Sequence, residues 1–183
     1  CGIISAPGTY YLQNDIVDST TGSCINITSN DVVFDCQNNL VDGDDLADYG
    51  INIQRDSIQD VNVTIQNCNM TDWDGAGIKI EYSENVTIDN VSISSCVDEA
   101  VDWGTYSDYG VIRDSTFYSN EVGIYLSFGT DYLNITNSFV YNNTLDDIRT
   151  RAGSCTTYLD NVTGNENKEH VYFNEIGRAS CRE

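Results

Sequence analysis

Six side chains suited to work on a saccharide recur at one interval. Lys79, Asp102, Tyr125 and Arg149 follow one another by 23 or 24 residues, and Glu81 and Arg151 each sit two residues past a member of that series. If Glu81 and Asp102 lie diagonally on adjacent strands, roughly 7–8 Å apart, they have the separation of an inverting glycosidase pair. One carboxyl then donates a proton while the other activates water. With Arg149 or Lys79 as base and a Ca²⁺ held by carboxylates, the same set suits a polysaccharide lyase. Without any cleavage, Tyr125 serves as a stacking plate, and Arg149, Arg151 and Lys79 grip glycan hydroxyls or carboxylates. The plain alternative is that these charges only pair across a solvated sheet.

These readings require that residues about 23 apart become neighbours. The chain supplies such a period. "GINIQRDSIQDVNVTIQNCNM" begins at Gly50, "GIKIEYSENVTIDNVSISSC" at Gly77 and "GIYLSFGTDYLNITNSFVYNN" at Gly123. The first-strand starts are Ile25, Ile51, Ile78, Val101, Ile124, Ile148 and Val171, spaced by 23 to 27 residues. A period of that length marks a solenoid. Apolar letters alternate within each unit, as in Ile78-x-Ile80 and Val86-x-Ile88, which is the strand period. No stripe of helical spacing exists. Each unit divides into three short strands: Ile78–Ile80, Val86–Ile88 and Val91–Ile93 in the third. Asn67, Asn90, Asp114, Asn137 and Asn161 fall where the second strand bends into the third, a corner needing a left-handed backbone that Asn and Asp tolerate. Gly50, Gly77 and Gly123 are expected to serve a second bend. The expected core is formed by Ile51/Ile53, Ile78/Ile80, Val101/Trp103 and Ile124/Leu126, joined by Met70, Ile93, Phe117 and Val140.

Composition narrows the partners. Of 183 residues, 29 are acidic and 8 basic, giving a net charge of −21. That field repels phosphate backbones, so nucleic acid is not an expected partner. No run of 18 apolar residues exists, so no transmembrane segment is expected. Eight N-x-S/T sequons, at Asn26, Asn62, Asn69, Asn85, Asn90, Asn134, Asn142 and Asn161, arise either from strands rich in Asn and Thr or from a glycosylated exterior protein. Seven cysteines without a CxxC pair, beside one histidine, fit an oxidising, exported setting better than zinc.

Three strands per turn with an Asn corner column, carried by phrases such as "CINITSNDVVFDCQNN" and "GIKIEYSENVTIDNVSI", resembles the right-handed parallel β-helix of the pectate-lyase-like superfamily, in its NosD-like repeat. The resemblance implies an all-β, single-stranded right-handed parallel β-helix of about six to seven coils. It covers residues 1–174, with 1–23 as an N-terminal cap containing the capping strand Ala6–Leu12, and 24–174 as coils. Residues 175–183 have no repeat letters and read as a non-native tail, so that the natural protein is expected to continue past Asn174. Relatives often hold ligands on the outer face of the first strand, where the six opening residues fall. The superfamily includes lyases, hydrolases, epimerases, adhesins and inert scaffolds, so fold does not choose among them. The polygalacturonase-like G-H-G and R-I-K motifs and the epimerases' D-P-H-D are absent; His170 stands alone, and "GIKI" has Gly where Arg is needed. Copper is equally unsupported by one His and one Met.

Stacking sets further expectations. Cys36 and Cys68 fall about 6 Å apart and can bridge; Cys1 can pair with Cys24 and pin the cap. Acids gather where the third strand returns to the first, and from these Asp74, Asp98, Glu121 and Asp147 are expected to hold Ca²⁺, against the reading of a solvated acidic edge. Tyr118 and Tyr141 share an outward column that is either a stabilising stack or a sugar platform. The reading that results is a secreted or cell-surface β-helix that recognises a polysaccharide or other glycan, or acts as an adhesive scaffold, and requires no cofactor. A lyase or hydrolase and a non-binding stalk are the alternatives, and the oligomeric state is not set by the sequence.

Overall fold

Alternating apolar letters in runs this short can bury a face only by stacking on their like. The computed structural model describes residues 1–20, 22–151 and 157–164, and the regular elements within them are all strands. The N-terminal half contains β1 (Gly2–Ile4), β2 (Gly8–Tyr11), β3 (Ser23–Ile27), β4 (Val32–Asp35), β5 (Leu40–Asp42), β6 (Tyr49–Thr71) and β7 (Ile78–Ser94). The remainder contains β8 (Glu99–Trp103), β9 (Val111–Arg113), β10 (Thr116–Tyr118), β11 (Val122–Leu126), β12 (Leu133–Thr136), β13 (Phe139–Tyr141), β14 (Asp146–Thr150) and β15 (Thr157–Asp160). β6 and β7 each bend through all three sides of a coil.

The first face is the path β1-β3-β6-β7-β8-β11-β14, with neighbours parallel. Ile25, Ile51, Ile78, Val101, Ile124 and Ile148 lie in one register column, as the period requires. The second face stacks β2, β4, the middles of β6 and β7, β9, β12 and β15. The third stacks β5, the ends of β6 and β7, β10 and β13. Inward side chains from the three faces form one core, in which Ile51, Ile78, Val101, Ile124, Met70, Ile93, Phe117 and Val140 are all buried. Each contributes about 1.5–3 kcal/mol through its burial.

The corner column behaves as expected. Asn67, Asn90, Asp114, Asn137 and Asn161 have φ of 54°, 51°, 52°, 49° and 51°. Their amides also bond along the stack: Asn90 Nδ2 donates to Asn67 Oδ1 at 2.8 Å, and Asn161 Nδ2 to Asn137 Oδ1 at 2.9 Å.

The glycines play a different part from the one expected. Among the described glycines only Gly8 and Gly129 have a left-handed φ, so Gly50, Gly77 and Gly123 do not serve a bend. They leave room. A Cβ on Gly77 would meet Ile93 Cγ2 at 2.5 Å, and one on Gly123 would collide with Val140 Cγ1 and the Asp147 carbonyl. In these three rungs the third-strand core side chain, Met70, Ile93 or Val140, occupies the space that a first-strand side chain would need.

The segment expected as a cap is a rung in its own right. β1 pairs with β3, β2 with β4, and Ile16 bridges Val41. Its strand Gly8–Tyr11 lies over Val32 and Phe34 and also ends the described stack. Disulfides join Cys1 to Cys24 and Cys36 to Cys68, with Cα atoms 4.3 and 4.8 Å apart. Val171, His170, Cys155, Cys181 and the tail at 175–183 lie outside the described residues.

Replacing Gly123 by Ala should destabilise the fold by about 1–3 kcal/mol, because overpacking must displace Val140 or the β14 backbone. A lower urea midpoint with unchanged slope is the expected result of a denaturation series.

Candidate functional site

The alternation that buries Ile78 and Val101 turns Lys79 and Asp102 outward. Register places Lys79 beside Asp102, Asp102 beside Tyr125, and Tyr125 beside Arg149. Glu81 lies on the next outward position, beside Gln54 and diagonal to Asp102. The first-face column is therefore assembled.

Its charges are spent on each other. Lys79 Nζ lies 3.0 Å from Asp102 Oδ2 and 5.0 Å from the centre of the Tyr49 ring. Burial pulls the Lys79 pKa down, but Asp102 outweighs it and the net shift is upward. Arg149 Nε is bound to Asp146 Oδ2, three residues back on its own strand. Gln54 Nε2 donates to Glu81 Oε2 at 2.8 Å. Gly104 and the buried Ser127 separate Glu81 from Arg151, which is exposed. Tyr125 is half-buried. The expected arginine grip is thus reduced to Arg151.

One acid on this face was not among the expected catalytic residues. Glu99, half-buried at the start of β8, has its pKa pushed up to about 7 by burial and by the charges of Asp102 and Asp98. The sequence placed Glu99 only in the acidic edge, because its position relative to Asp102 depends on the bend entering β8.

The expected Ca²⁺ set does not come together. Asp74 and Asp98 are exposed, whereas Asp147 is fully buried. Asp147 Oδ1 accepts from Asn143 Nδ2 at 3.0 Å, as part of an internal ladder. Asn143 Oδ1 in turn accepts from the Asn120 backbone N–H, and Asn120 Oδ1 from that of Cys96. Among the described residues no three His, Cys, Asp or Glu side chains form a group that could hold a metal.

Tyr118 and Tyr141 stack at 5.5 Å and 9° between planes. Each ring covers one face of the other and both residues are half-buried, so this pair serves to stabilise the rungs more than to offer a platform. Several sequon asparagines are also engaged: Asn62 Nδ2 donates to Asp31, Asn85 Nδ2 to Asp60 and Asn69 Nδ2 to the Asn38 carbonyl.

The corner between the first and second faces carries what the sequence reading missed. Tyr82, Tyr106 and Phe128 follow one another on successive rungs, with centroids 6.1 and 5.9 Å apart; the last two meet edge to face at 86°. Tyr109 and Tyr132 form a second stack, 5.0 Å apart and 2° from parallel. Tyr106, Tyr109, Phe128 and Tyr132 are between 39% and 54% exposed. Gly129, at φ +70°, lies where a side chain would strike the Tyr106 ring at 2.7 Å. Beside these rings is an open depression of about 500 Å³, lined by Asn30, Asp31, Asp60, Asn62, Asn85, Thr87, Tyr109 and Val111. A signal existed in the sequence: Tyr82, Tyr106 and Phe128 lie 24 and 22 residues apart, in loops whose lengths differ between units.

The sequence matches the family described as the right handed beta helix region over residues 2–176. Comparison with curated proteins gave no match. The pectate lyase Pel9A is similar in structure at 14% identity and a TM-score of 0.42, over 88% of this chain and 52% of that one. The catalytic domain of a GH87 alpha-1,3-glucanase in complex with tetrasaccharides is similar at 15% identity and a TM-score of 0.42, over 88% of this chain and 34% of that one. The chain thus spans about half the length of the first and a third of the second.

Glu99 gives the fold a pH dependence with a definite sign. Between its ordinary value of 4.5 and about 7, the folded chain holds a proton that the unfolded chain has released. This contribution is complete below pH 4.5 and is lost as pH rises through about 7. Thermal melts across that window should show Glu99→Gln losing less stability with rising pH than the parent.

Proposed function

The chain belongs to the right-handed β-helix family, and we propose that its outer wall recognises carbohydrate as a binding or adhesive module of a secreted or cell-surface protein. The observation that carries this reading is the aromatic corner. Tyr106, Tyr109, Phe128 and Tyr132 are held in fixed positions by rung spacing yet stand exposed, and Tyr109 lines a depression rich in amides and carboxylates. Rings supply apolar faces to sugar C–H groups, and neighbouring polar side chains meet the hydroxyls. The two disulfides support an oxidising location. The first-face column contributes less to binding, because Lys79 and Arg149 are already paired.

A glycan-array screen tests the module directly. The parent should bind at least one saccharide class, and Phe128→Ala combined with Tyr132→Asn should weaken that binding about tenfold or more. Asn is chosen at position 132 because the corner there is left-handed, with φ 58°. A folded parent that binds no glycan would contradict the reading.

A second reading has one observation in its favour. Glu99 keeps a proton near neutrality beside Asp102, and a pair of carboxyls in unequal environments is the signature of acid–base work. Under it, Glu99 donates a proton to the leaving glycosidic oxygen on the first face while Asp102 takes one from the water that attacks the anomeric carbon. Polysaccharides incubated with the protein would then release reducing ends, and Glu99→Gln would abolish the release. For a binding module, neither parent nor variant should release any.

A further inference from the structure

The depression beside the aromatic corner has a composition that selects among glycans. It runs across four successive rungs: Asn30 and Asp31 come from the first, Asp60 and Asn62 from the next, then Asn85, then Tyr109. At the strand spacing this is about 14 Å along the axis, long enough for a short stretch of a sugar chain. Tyr132 covers one face of the Tyr109 ring, and Tyr109 itself lines the depression. The free face of that ring therefore closes one end.

The floor repeats a pair. Asn62 Nδ2 donates to Asp31 Oδ1 at 2.8 Å, and one rung on Asn85 Nδ2 donates to Asp60 Oδ1 at 2.9 Å. Each pair fixes its carboxylate by one oxygen and presents amide and carboxylate groups together, a set that can both donate to and accept from hydroxyls. Among the described residues no base lines the depression. Arg113, two residues beyond Val111, is held by Asp89 at 2.7 Å. Arg55 is buried and turned to the backbone carbonyls of Ile27, Gln54 and Ser29. Past Tyr109 the acidity continues, since Asp108 Oδ1 accepts from the Asp131 backbone N–H at 2.7 Å.

We propose that this depression is the seat of the glycan, that it takes an uncharged chain stacked against Tyr109, and that Asp31 and Asp60 exclude uronate chains. The inference rests on the carbohydrate reading above and narrows it. Hydroxyls bond well to carboxylates, whereas a uronate carboxylate must approach the like charges of Asp31 and Asp60. The selection is thus built from the same groups that bind, by attraction for one class and repulsion for the other.

The test uses titration of the intact protein with two panels at low salt. One contains neutral gluco-, manno-, xylo- and galacto-oligosaccharides, the other oligomers of galacturonate, glucuronate and mannuronate. A neutral chain should bind about tenfold or more tightly than any uronate. Asp31→Asn with Asp60→Asn should narrow that gap, and so should added salt. Tyr109→Asn retains a residue suited to the corner's φ of 56°, and should weaken the neutral chain about tenfold while the melting temperature stays close to the parent's. Uronate binding as tight as neutral binding would overturn the inference. So would neutral binding that ignores Tyr109→Asn, which moves the seat elsewhere and leaves the carbohydrate reading standing. Failure of both panels would remove that reading itself.

Discussion

Every coil of this chain must turn three corners within about two dozen residues, and no corner can leave a buried backbone N–H unmet. That constraint sets most of the sequence. Left-handed residues make the bend, as at Asn67, Asn90 and Asn137. Inward side chains from the next rung then satisfy the exposed donors. Ser107 Oγ accepts from the Ser83 N–H, Ser115 Oγ from the Val91 N–H, and Ser138 Oγ from the Ser115 N–H. Asn120 and Asn143 do the same at the third corner, and buried Asp147 joins their row. Polar side chains inside a solenoid are costly unless each has a partner one rung away. The rungs are therefore tied in register from within as well as by the core.

Register has a consequence for the wall. Once residues about 23 apart are held one strand spacing from each other, opposite charges in a column pair and aromatic rings stack. The first face shows the former in Lys79–Asp102. The corner after it shows the latter in Tyr109–Tyr132 and Tyr106–Phe128. Pairing takes Lys79, Arg113 and Arg149 out of recognition, so the excess negative charge weighs more on what may approach. Stacking leaves rings rigid and exposed, at little entropic cost on binding. The same geometry lifts the proton affinity of Glu99, because burial at the start of β8 puts it near Asp98 and Asp102.

The repeat made the architecture legible. Ile78, Val101 and Ile124 could be aligned by counting, as could the Asn corner column, and the Cys36–Cys68 pairing followed from strand spacing. What counting could not supply was side-chain direction at corners. Asp147 sits in the acidic edge by sequence, yet is buried and bonded to the internal Asn ladder. Gly77 and Gly123 read as bends but are gaps for Ile93 and Val140, since their φ is ordinary and their neighbours are close. The aromatic corner was hidden because it lies in the loops between the first and second strands, where the apolar alternation stops and counting gives no side-chain direction, although Tyr109 and Tyr132 are 23 residues apart. Pairing partners outside the period, such as Asp146 for Arg149, were equally out of reach.

Side-chain proton contacts test the rung register most directly. In a nuclear Overhauser spectrum of the methyl- and aromatic-labelled protein, Ile78 should give cross-peaks to Val101, Val101 to Ile124, and the Tyr109 ring to that of Tyr132. Absence of all three from a folded sample with assigned resonances would contradict the stacking on which both the core and the binding wall depend.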